Sequence, residues 1–417
     1  MQNFKSIRGF NDLLPQNIEK VQLIEETIKN ILNNSGFKEI RTPIMEYEDL
    51  FKRSVGEESD IVSKEMYTIK RSDEKSFTLR PEGTVGVARA LLENNLLNTQ
   101  QKLWYNGYMF RAENPQKGRY RQFQQIGVEA YGMEGINIEI ELLYMVQSIF
   151  KRLGILDFVN LEINNIGTSA DRIEYANELK CFLKPYYNLF DIDFINKFEK
   201  NPLRILDSKD KVIKEIIKNA PTISDFINED SRELFNRLIY NLEVLGINYK
   251  INKNLVRGLD YYNDLVFEWT SNLSESQVTI CAGSRYDSLI KQIGGKMKPA
   301  VGFAIGIERL IMLIETKSSF SIKQKRSIYI CSLGQDAYPF ALKLREKLLQ
   351  SLDWIITINS ENTSLKSQLK KADKLNTDYS IIIGSTELIN QNLILKYMKS
   401  ENAQLTIAEK DLLNYLV

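Results

Sequence analysis

Two strand-like segments on either side of a basic loop constrain the fold of this chain most. The segments are 102–109 (KLWYNGYM) and 122–131 (QFQQIGVEAY), and the second alternates with the period of two that is typical of a β-strand. The connecting loop carries four cations within eleven residues, namely Arg111, Lys117, Arg119 and Arg121. The pattern predicts an antiparallel hairpin with a basic loop at its tip.

The second strand has two chemically different faces. Ile126 and Val128 point to one side, which is mostly apolar and is predicted to pack on the core. Phe123, Gln125 and Glu129 point to the other side and place an aromatic ring, an amide and a carboxylate in a row. This polar face is therefore the candidate for ligand binding.

The loop begins with residue types that suit a nucleotide. Arg111 offers a planar guanidinium for a phosphate, Glu113 a carboxylate for an exocyclic amine, and Phe123 a ring for a base. The tip, with Lys117 and Arg119, is then available to a polyanion. Taken alone, the same stretch is equally compatible with a solvated basic hairpin.

A second phosphate-binding candidate lies near residue 309. Arg309 falls in the first predicted turn of a helix, after Gly302 and Gly306, and a helix N-terminus attracts phosphate. An ordinary strand-to-helix turn with a surface arginine is the alternative. The chain has no P-loop motif and no GxGxxG motif after a strand, so neither of those two phosphate-binding modes is supported.

Composition excludes several kinds of chemistry. The 417 residues include no histidine, which removes a histidine base, a Ser-His pair and histidine metal ligands. The net charge is +1, so a nucleic-acid surface must be local. The three cysteines are far apart, and no secretory signal or membrane-length apolar run is visible, so we expect a cytoplasmic protein.

The order of helical and strand patterns along the chain predicts its domains. A helical pattern from about 169 to 245 indicates an inserted module within a first domain of residues 1–320. A polar linker is predicted over 321–328. Strands and helices then alternate over 329–417, which is typical of a separate α/β domain, and a closing helix is predicted over 406–416.

Three stretches resemble the sequence motifs of class II aminoacyl-tRNA synthetases. They are GFKEIRTPI (36–44), FRAE with RYRQF (110–123) and GFAIGIERL (302–310). Two further stretches, TLRPEGT and LVRGLDYYNDLVFEW, are similar to signatures of the histidyl-tRNA synthetases. The resemblance covers essentially the whole chain. It implies an α+β catalytic domain with an antiparallel sheet, a helical insertion, a C-terminal α/β domain that binds the anticodon, and a homodimer.

The same resemblance implies a reaction and its residues. Histidine and ATP would give histidyl-adenylate, and histidine would then pass to the 3′ end of tRNA(His), with Mg²⁺ beside ATP and no metal ligands from the protein. Histidine would be bound by Glu82, Gly83, Thr84, Gln125, Glu129, Arg257, Tyr261, Tyr262 and Tyr286. ATP would be bound by Arg111, Glu113, Phe123 and Arg309, and the catalytic residues would be Arg111, Arg257 and Arg309. The tRNA acceptor end would meet Asn114, Gln116, Lys117, Arg119 and Arg121.

The sequence departs from the family pattern at a few positions. Ser284 and Ser288 replace glycines of a GGRYDGL motif, Asn114 stands where arginine is frequent, and Gln124 stands where histidine is frequent. The rule by which the tRNA end is recognised therefore stays open. Two alternatives of another class also stay open: a regulatory paralogue within ATP phosphoribosyltransferase, and a tRNA-sensing module without catalysis. The absence of histidine has two interpretations, selection for synthesis under histidine scarcity and compositional drift.

Overall fold

The computed structural model describes residues 4–57, 59–70, 75–200, 202–207, 210–256, 261–272, 277–317, 325–399 and 404–416. The chain divides into two compact units, Met1–Ser321 and Ile322–Val417. The described residues of each unit have hydrophobic clusters of their own.

The helices and strands of the described residues are as follows. The α-helices are α1 (Pro15–Asn34), α2 (Glu48–Val55), α3 (Thr84–Glu93), α4 (Asn137–Arg152), α5 (Ser169–Leu183), α6 (Ile192–Lys200), α7 (Lys211–Ile217), α8 (Glu229–Val244), α9 (Leu289–Gln292), α10 (Ile307–Lys317), α11 (Ala337–Leu349), α12 (Leu365–Lys374) and α13 (Ser385–Ile389). The strands are β1 (Lys38–Glu39), β2 (Met45–Tyr47), β3 (Tyr67–Lys70), β4 (Ser76–Leu79), β5 (Gln101–Phe110), β6 (Gln122–Tyr131), β7 (Asn160–Asn165), β8 (Tyr249–Ile251), β9 (Asn263–Ser271), β10 (Val278–Arg285), β11 (Ala300–Gly306), β12 (Ser327–Ser332), β13 (Ile355–Ile358), β14 (Tyr379–Ile383), β15 (Asn392–Tyr397) and β16 (Gln404–Ala408).

An eight-stranded sheet forms the centre of the first unit, in the order β1-β5-β6-β11-β10-β9-β7-β8. Its central pairs are antiparallel, and the pairs at its two edges, β1 with β5 and β7 with β8, are parallel. Strands β5 and β6 pair from Gln101 opposite Tyr131 to Phe110 opposite Gln122. The predicted hairpin is therefore confirmed, and the predicted antiparallel arrangement is confirmed for the central strands of a sheet whose edge pairs are parallel.

One face of this sheet is covered by α1 and α4. Ile126 and Val128 are buried there, together with Ile24 and Ile28 of α1, so the predicted apolar face of β6 does pack on the core. Burying such side chains gives about 25 cal/mol per Å² of apolar surface. The opposite face carries the polar row of β6 and belongs to a second cluster around α3 and α9.

The local sequence of α1 explains where this helix begins, which face it buries and where it ends. Pro15 occupies the first turn, where its missing N–H costs no hydrogen bond. Val21, Ile24 and Leu32 recur at helical spacing and are buried. Gly36 follows the helix with a φ of +81°, a conformation that glycine adopts without strain.

The helical insertion is present, and its members belong to two cores. Helix α5 packs through Tyr175 and Leu179 into a cluster that also holds Ile213 of α7. Helix α8, the last helix of the predicted insertion, instead places Leu238 and Leu242 in the core of the main sheet. Helices α5 and α7 therefore pack in a cluster that also includes Val266 of β9, whereas α8 packs on the main sheet.

The second unit has a mixed five-stranded sheet in the order β13-β12-β14-β15-β16. The predicted closing helix over 406–416 is wrong in its first part, because residues 404–408 form β16, which pairs antiparallel with β15. A 3₁₀ helix, Glu409–Tyr415, follows. The strand is favoured because Ile407 lies opposite Leu393 and packs into the core of this unit.

The strand signal over 255–269 is also shorter than the sequence indicates. Strand β9 begins at Asn263, and residues 257–260, which include Arg257, lie outside the described residues. Across the parts of the chain that the structure describes, no helix has both the length and the apolar composition needed to cross a membrane.

Candidate active site

A cavity of about 280 Å³ opens over the polar face of the β5–β6 hairpin. Most of the residues expected to bind histidine or ATP line it: Glu82, Thr84, Arg111, Glu113, Phe123, Gln125, Tyr262, Tyr286 and Arg309. Arg119, expected at the tRNA end, lines it as well. Residues separated by up to 227 positions in the sequence thus meet at one site.

A buried carboxylate lies beneath the cavity. Glu129 is 1% exposed, and its two oxygens accept hydrogen bonds from the hydroxyls of Thr84, at 2.7 Å, and of Tyr286. Burial raises the pKa of Glu129 well above its ordinary value, and the charge of the nearby Glu82 adds to the rise. Gly302 lies opposite Glu129 in the sheet, and a Cβ there would come within 2.5 Å of the carboxylate. A side chain at position 302 would therefore collide with Glu129.

Glu82 has a structural role as well as a place in the cavity wall. Its carboxylate accepts the backbone N–H groups of Thr84, at 2.7 Å, and Val85, at 2.8 Å, at the start of α3. Burial raises the pKa of Glu82, while those hydrogen bonds and the charge of Arg111 oppose the rise. A helix N-terminus stabilises this negative charge.

Three tyrosines form one wall. The rings of Tyr261 and Tyr262 are edge-to-face with centroids 4.9 Å apart, and the ring of Tyr286 lies 5.8 Å from that of Tyr261. Tyr262 and Tyr286 line the cavity, whereas Tyr261 is fully buried behind them. The Tyr261 hydroxyl is buried without a hydrogen-bond partner among the described residues.

Tyr105 is a cavity residue that the sequence did not indicate. Its ring lies between Gly83 and Gly127, where an added Cβ would stand 2.2 Å and 2.1 Å from the Tyr105 Cζ atom. Burial raises the pKa of Tyr105, and the charge of Glu129 raises it further. The available signal was weak, because a glycine in a strand has several possible explanations.

Two arginines at the other side of the cavity are oriented by backbone carbonyls. Arg111 donates from Nε to the Pro81 carbonyl at 2.9 Å, and its guanidinium carbon lies 5.3 Å from the centre of the Phe123 ring. Arg309 donates from Nε to Gly118, at 3.1 Å, and from Nη1 to Thr279, at 2.9 Å. Both guanidinium groups are thereby held in the lining of the cavity.

The hairpin tip divides into a braced part and an exposed part. Arg119 forms an ion pair with Glu113, and Arg121 donates from Nε to the Glu113 carbonyl at 3.0 Å. The backbone N–H of Arg121 also donates to the Gly9 carbonyl at 2.9 Å. Arg121 thus holds the loop together. Asn114, Gln116 and Lys117, in contrast, are exposed. These exposed side chains lie outside the cavity lining.

The family departures do not fill the cavity. Ser284 is fully buried, and its hydroxyl, which has one hydrogen, can donate to either the Leu265 carbonyl at 2.8 Å or the Arg285 carbonyl at 3.0 Å. Ser288 precedes the short helix α9. Gln124, on the core side of β6, donates its amide to Glu25 and to Asn106, the latter at 2.8 Å.

The described residues contain no group of three or more His, Cys, Asp or Glu side chains that could hold a metal ion. Mg²⁺ usually keeps several waters and binds through one or two carboxylates together with substrate phosphates. The cavity offers Glu113 and Glu308 as such carboxylates. Glu113 is in an ion pair with Arg119, and Glu308 accepts the backbone N–H of Gln124 at 2.8 Å.

Comparison with known proteins decides the family. A profile described as histidyl-tRNA synthetase matches residues 9–180 and 197–310, and one described as an anticodon binding domain matches residues 327–417. The chain belongs to the histidyl-tRNA synthetase family. The histidine–tRNA ligase of Francisella philomiragia is 46% identical over 100% of this chain and 99% of its own length.

A solved structure of the histidyl-tRNA synthetase family agrees with this assignment. The apo histidyl-tRNA synthetase of S. aureus has a TM-score of 0.82 and 34% identity, and the match covers 99% of both chains. The histidine–tRNA ligase of Francisella tularensis (strain SCHU S4) is 46% identical over the full length of both chains. The catalytic region and the anticodon-binding region are thus both present in this chain.

Proposed function

We propose that this chain activates L-histidine with ATP to form histidyl-adenylate and then transfers histidine to the 3′ end of tRNA(His). The observation that carries the proposal is the cavity itself. Arg111 and Arg309 line it, and so do Thr84 and Tyr286, whose hydroxyls donate to the buried carboxylate of Glu129. An amino acid with a donor ring and a nucleotide with phosphates match these two ends.

The histidine end would work through paired hydrogen bonds. A neutral imidazole has one donor and one acceptor nitrogen. Glu129 would accept from the first, because a carboxylate has about four lone-pair positions and the hydroxyls of Thr84 and Tyr286 use two of them. The Tyr262 hydroxyl would donate to the second nitrogen. Amino acids that left these groups unpaired would be rejected.

The remaining histidine contacts belong to the amino-acid backbone. Glu82, with Thr84 and Gln125, would bind the α-ammonium group, and that cation would favour the ionised form of the buried Glu82 carboxyl. Gly83 would keep the Tyr105 ring in place. Tyr261 would support Tyr262 and Tyr286 from behind, since its ring packs edge-to-face on both.

The nucleotide end would stabilise charge on the phosphates. Arg111 would hold the α-phosphate and Arg309 the distal phosphates, while Glu113 and Phe123 would hold adenine. Arg257 is assigned to the α-phosphate from the family pattern alone, since it lies outside the described residues. Positioning and electrostatic stabilisation account for most catalysis at a phosphoryl centre. Mg²⁺ would supply further charge neutralisation when it is bound with ATP.

The tRNA acceptor end would approach the cavity from the hairpin tip, where Arg119 also lines the cavity. The exposed tip residues Asn114, Gln116, Lys117 and Arg119, with the braced Arg121, would meet the acceptor end, and residues 329–417 would bind the anticodon.

Exposed apolar side chains at Ile44, Met45, Tyr47 and Ile69 support a homodimer through the sheet β2-β4-β3. We expect the protein to act in the cytoplasm, where tRNA charging serves translation.

The non-catalytic alternatives are disfavoured by the same features. A regulatory paralogue or a tRNA-sensing module has no need of Arg111 and Arg309 oriented toward one cavity with Glu129. Both alternatives predict that the purified chain lacks histidine-dependent chemistry.

Histidine-dependent ATP–pyrophosphate exchange tests the proposal. The intact chain should exchange pyrophosphate only when histidine is present, and Arg111→Ala or Arg257→Ala should abolish most of the exchange. A surface variant such as Lys29→Ala serves as the matched control and should exchange at the wild-type rate, because Lys29 is exposed on α1. Exchange that needs no histidine, or no exchange at all, would show that the chain does not have this activity.

A further inference from the structure

Tyr262 connects the histidine end of the cavity with the helical insertion. Its side chain packs against the cluster that contains Tyr261 and Tyr286. It also packs against the cluster formed by α5 and α7, which includes Tyr175 and Leu179. The two clusters therefore share the side chain of Tyr262, which lines the cavity.

The backbone of Tyr262 is held from the insertion as well. Arg172, in the first turn of α5, donates from Nη1 to the Tyr262 carbonyl. The start of α5 is fixed by a capping box, in which Thr168 and Asp171 satisfy each other's backbone N–H groups. Asn228 donates to the Asp171 carboxylate at 2.7 Å, which fastens this helix start to the segment before α8.

The residue two positions after Tyr262 is tied to the same region. Asp264 has a φ of +49°, which is uncommon for a residue other than glycine. Its backbone N–H donates to Gly167 at 2.9 Å, and its carboxylate accepts the Ser231 hydroxyl at 2.6 Å. The segment from Tyr262 to Asp264 is thus anchored at both ends by residues in or beside the insertion.

We infer that Arg172 is a positioning residue for Tyr262, so that the helical insertion sets the affinity of the cavity for histidine. The inference rests on the proposed function, in which Tyr262 contacts the imidazole. A guanidinium bond to the carbonyl fixes the peptide from which the Tyr262 ring projects. The arginines at the ATP end, Arg111 and Arg309, are held by other carbonyls, so their geometry does not depend on Arg172.

The test compares three variants by pyrophosphate exchange. Arg172→Ala should raise the KM for histidine about tenfold, the size expected for loss of one hydrogen bond to a charged group, and leave the KM for ATP nearly unchanged. Arg172→Lys keeps a charged donor and should restore most of the histidine affinity. Arg232→Ala is the matched control, because Arg232 donates to the Ile227 carbonyl at 3.1 Å, within the insertion region, and should have wild-type constants.

The outcomes separate this inference from the proposed function. If wild-type chain shows no histidine-dependent exchange, the proposed function fails. If wild-type chain exchanges normally and Arg172→Ala keeps the wild-type KM for histidine, or raises both KM values equally, only the positioning role is refuted. If Arg172→Ala does not fold, Arg172→Met decides, because it keeps a long side chain without a donor: a KM increase confined to histidine supports the inference, and an equal change for both substrates, or none, overturns it.

Discussion

At the scale of single residues, the packing beneath the cavity depends on glycines, which have no side chain. Gly83 and Gly127 leave room for the Tyr105 ring, and Gly302 leaves room for Glu129. Each glycine is required only by the folded structure, because the side chain that would collide with an added Cβ comes from a distant part of the sequence. The site was therefore predictable where charged or aromatic residues recur in a motif, and Tyr105 was not, since nothing local marks it.

Replacement of Gly127 by alanine should destabilise the protein. The new Cβ would stand 2.1 Å from Tyr105, which is enclosed and cannot move without repacking. Overpacking of this kind costs about 1–3 kcal/mol of the free energy of unfolding. Denaturant unfolding of Gly127→Ala measures that loss.

Gly306→Ala is the control for this prediction. No atom lies within 4 Å of the position that its Cβ would take, so its unfolding free energy should stay within about 0.5 kcal/mol of wild type. Equal stability of the two variants would contradict the proposed packing of Tyr105.

Glu129 should make the empty protein less stable as the pH rises. Burial, and then the charge of Glu82, raises its pKa above the ordinary value of 4.5. An acid whose pKa is higher in the folded state stabilises folding below the unfolded value, and this contribution is lost as the pH rises through the folded value. Glu129→Gln should thus gain stability over wild type as the pH rises above the ordinary value of 4.5.

Thermal unfolding across that pH range measures the difference, without substrates. The exposed Glu134→Gln should show no such trend. A melting-point difference between Glu129→Gln and wild type that does not grow with pH would show that the pKa of Glu129 is not raised in the folded protein. Histidine-dependent exchange should fall at least about tenfold in Glu129→Gln, because the amide cannot replace the charged acceptor.

At the scale of elements, alternation and glycine positions in the sequence were sufficient for the hairpin β5–β6, the helix α1 and the strand-to-helix passage into α10. They were insufficient for β16, where the apolar spacing of residues 404–408 fits a helix or a strand and only pairing with β15 decides. The hairpin tip also shows a division that spacing cannot indicate, since Arg121 turns back to the loop while Lys117 stays exposed.

Lys117 should contribute to tRNA binding without contributing to histidine activation. Lys117→Ala should weaken tRNA(His) binding and lower the slope of its salt dependence by about 1, because one phosphate contact is lost. Filter binding at several salt concentrations measures the slope. Pyrophosphate exchange should remain at the wild-type rate, and a slope that does not change would remove Lys117 from the interface.

At the scale of the whole molecule, the two units have separate sheets and separate cores. The change from an antiparallel sheet to strand–helix alternation was visible in the sequence, because each architecture has its own spacing of apolar residues. What the sequence could not assign was the membership of α8, which packs on the main sheet although its pattern continues that of the insertion.

A chain that ends at Ser321 should retain histidine activation and lose tRNA charging. All the described residues that line the cavity lie before that position, whereas the anticodon-binding match begins at residue 327. Pyrophosphate exchange and aminoacylation of tRNA(His), measured on the same preparation, give the two readings. Loss of exchange in a folded fragment would contradict the separation of the two units.

The buried carboxylate of Glu129 has a spectroscopic consequence. The chain itself contains no histidine, so a bound substrate would contribute the only imidazole ring in the protein–histidine complex. The ¹⁵N chemical shifts of its two ring nitrogens could be observed without overlap from protein side chains, even in a uniformly labelled sample. They would report directly which nitrogen carries the proton beside Glu129.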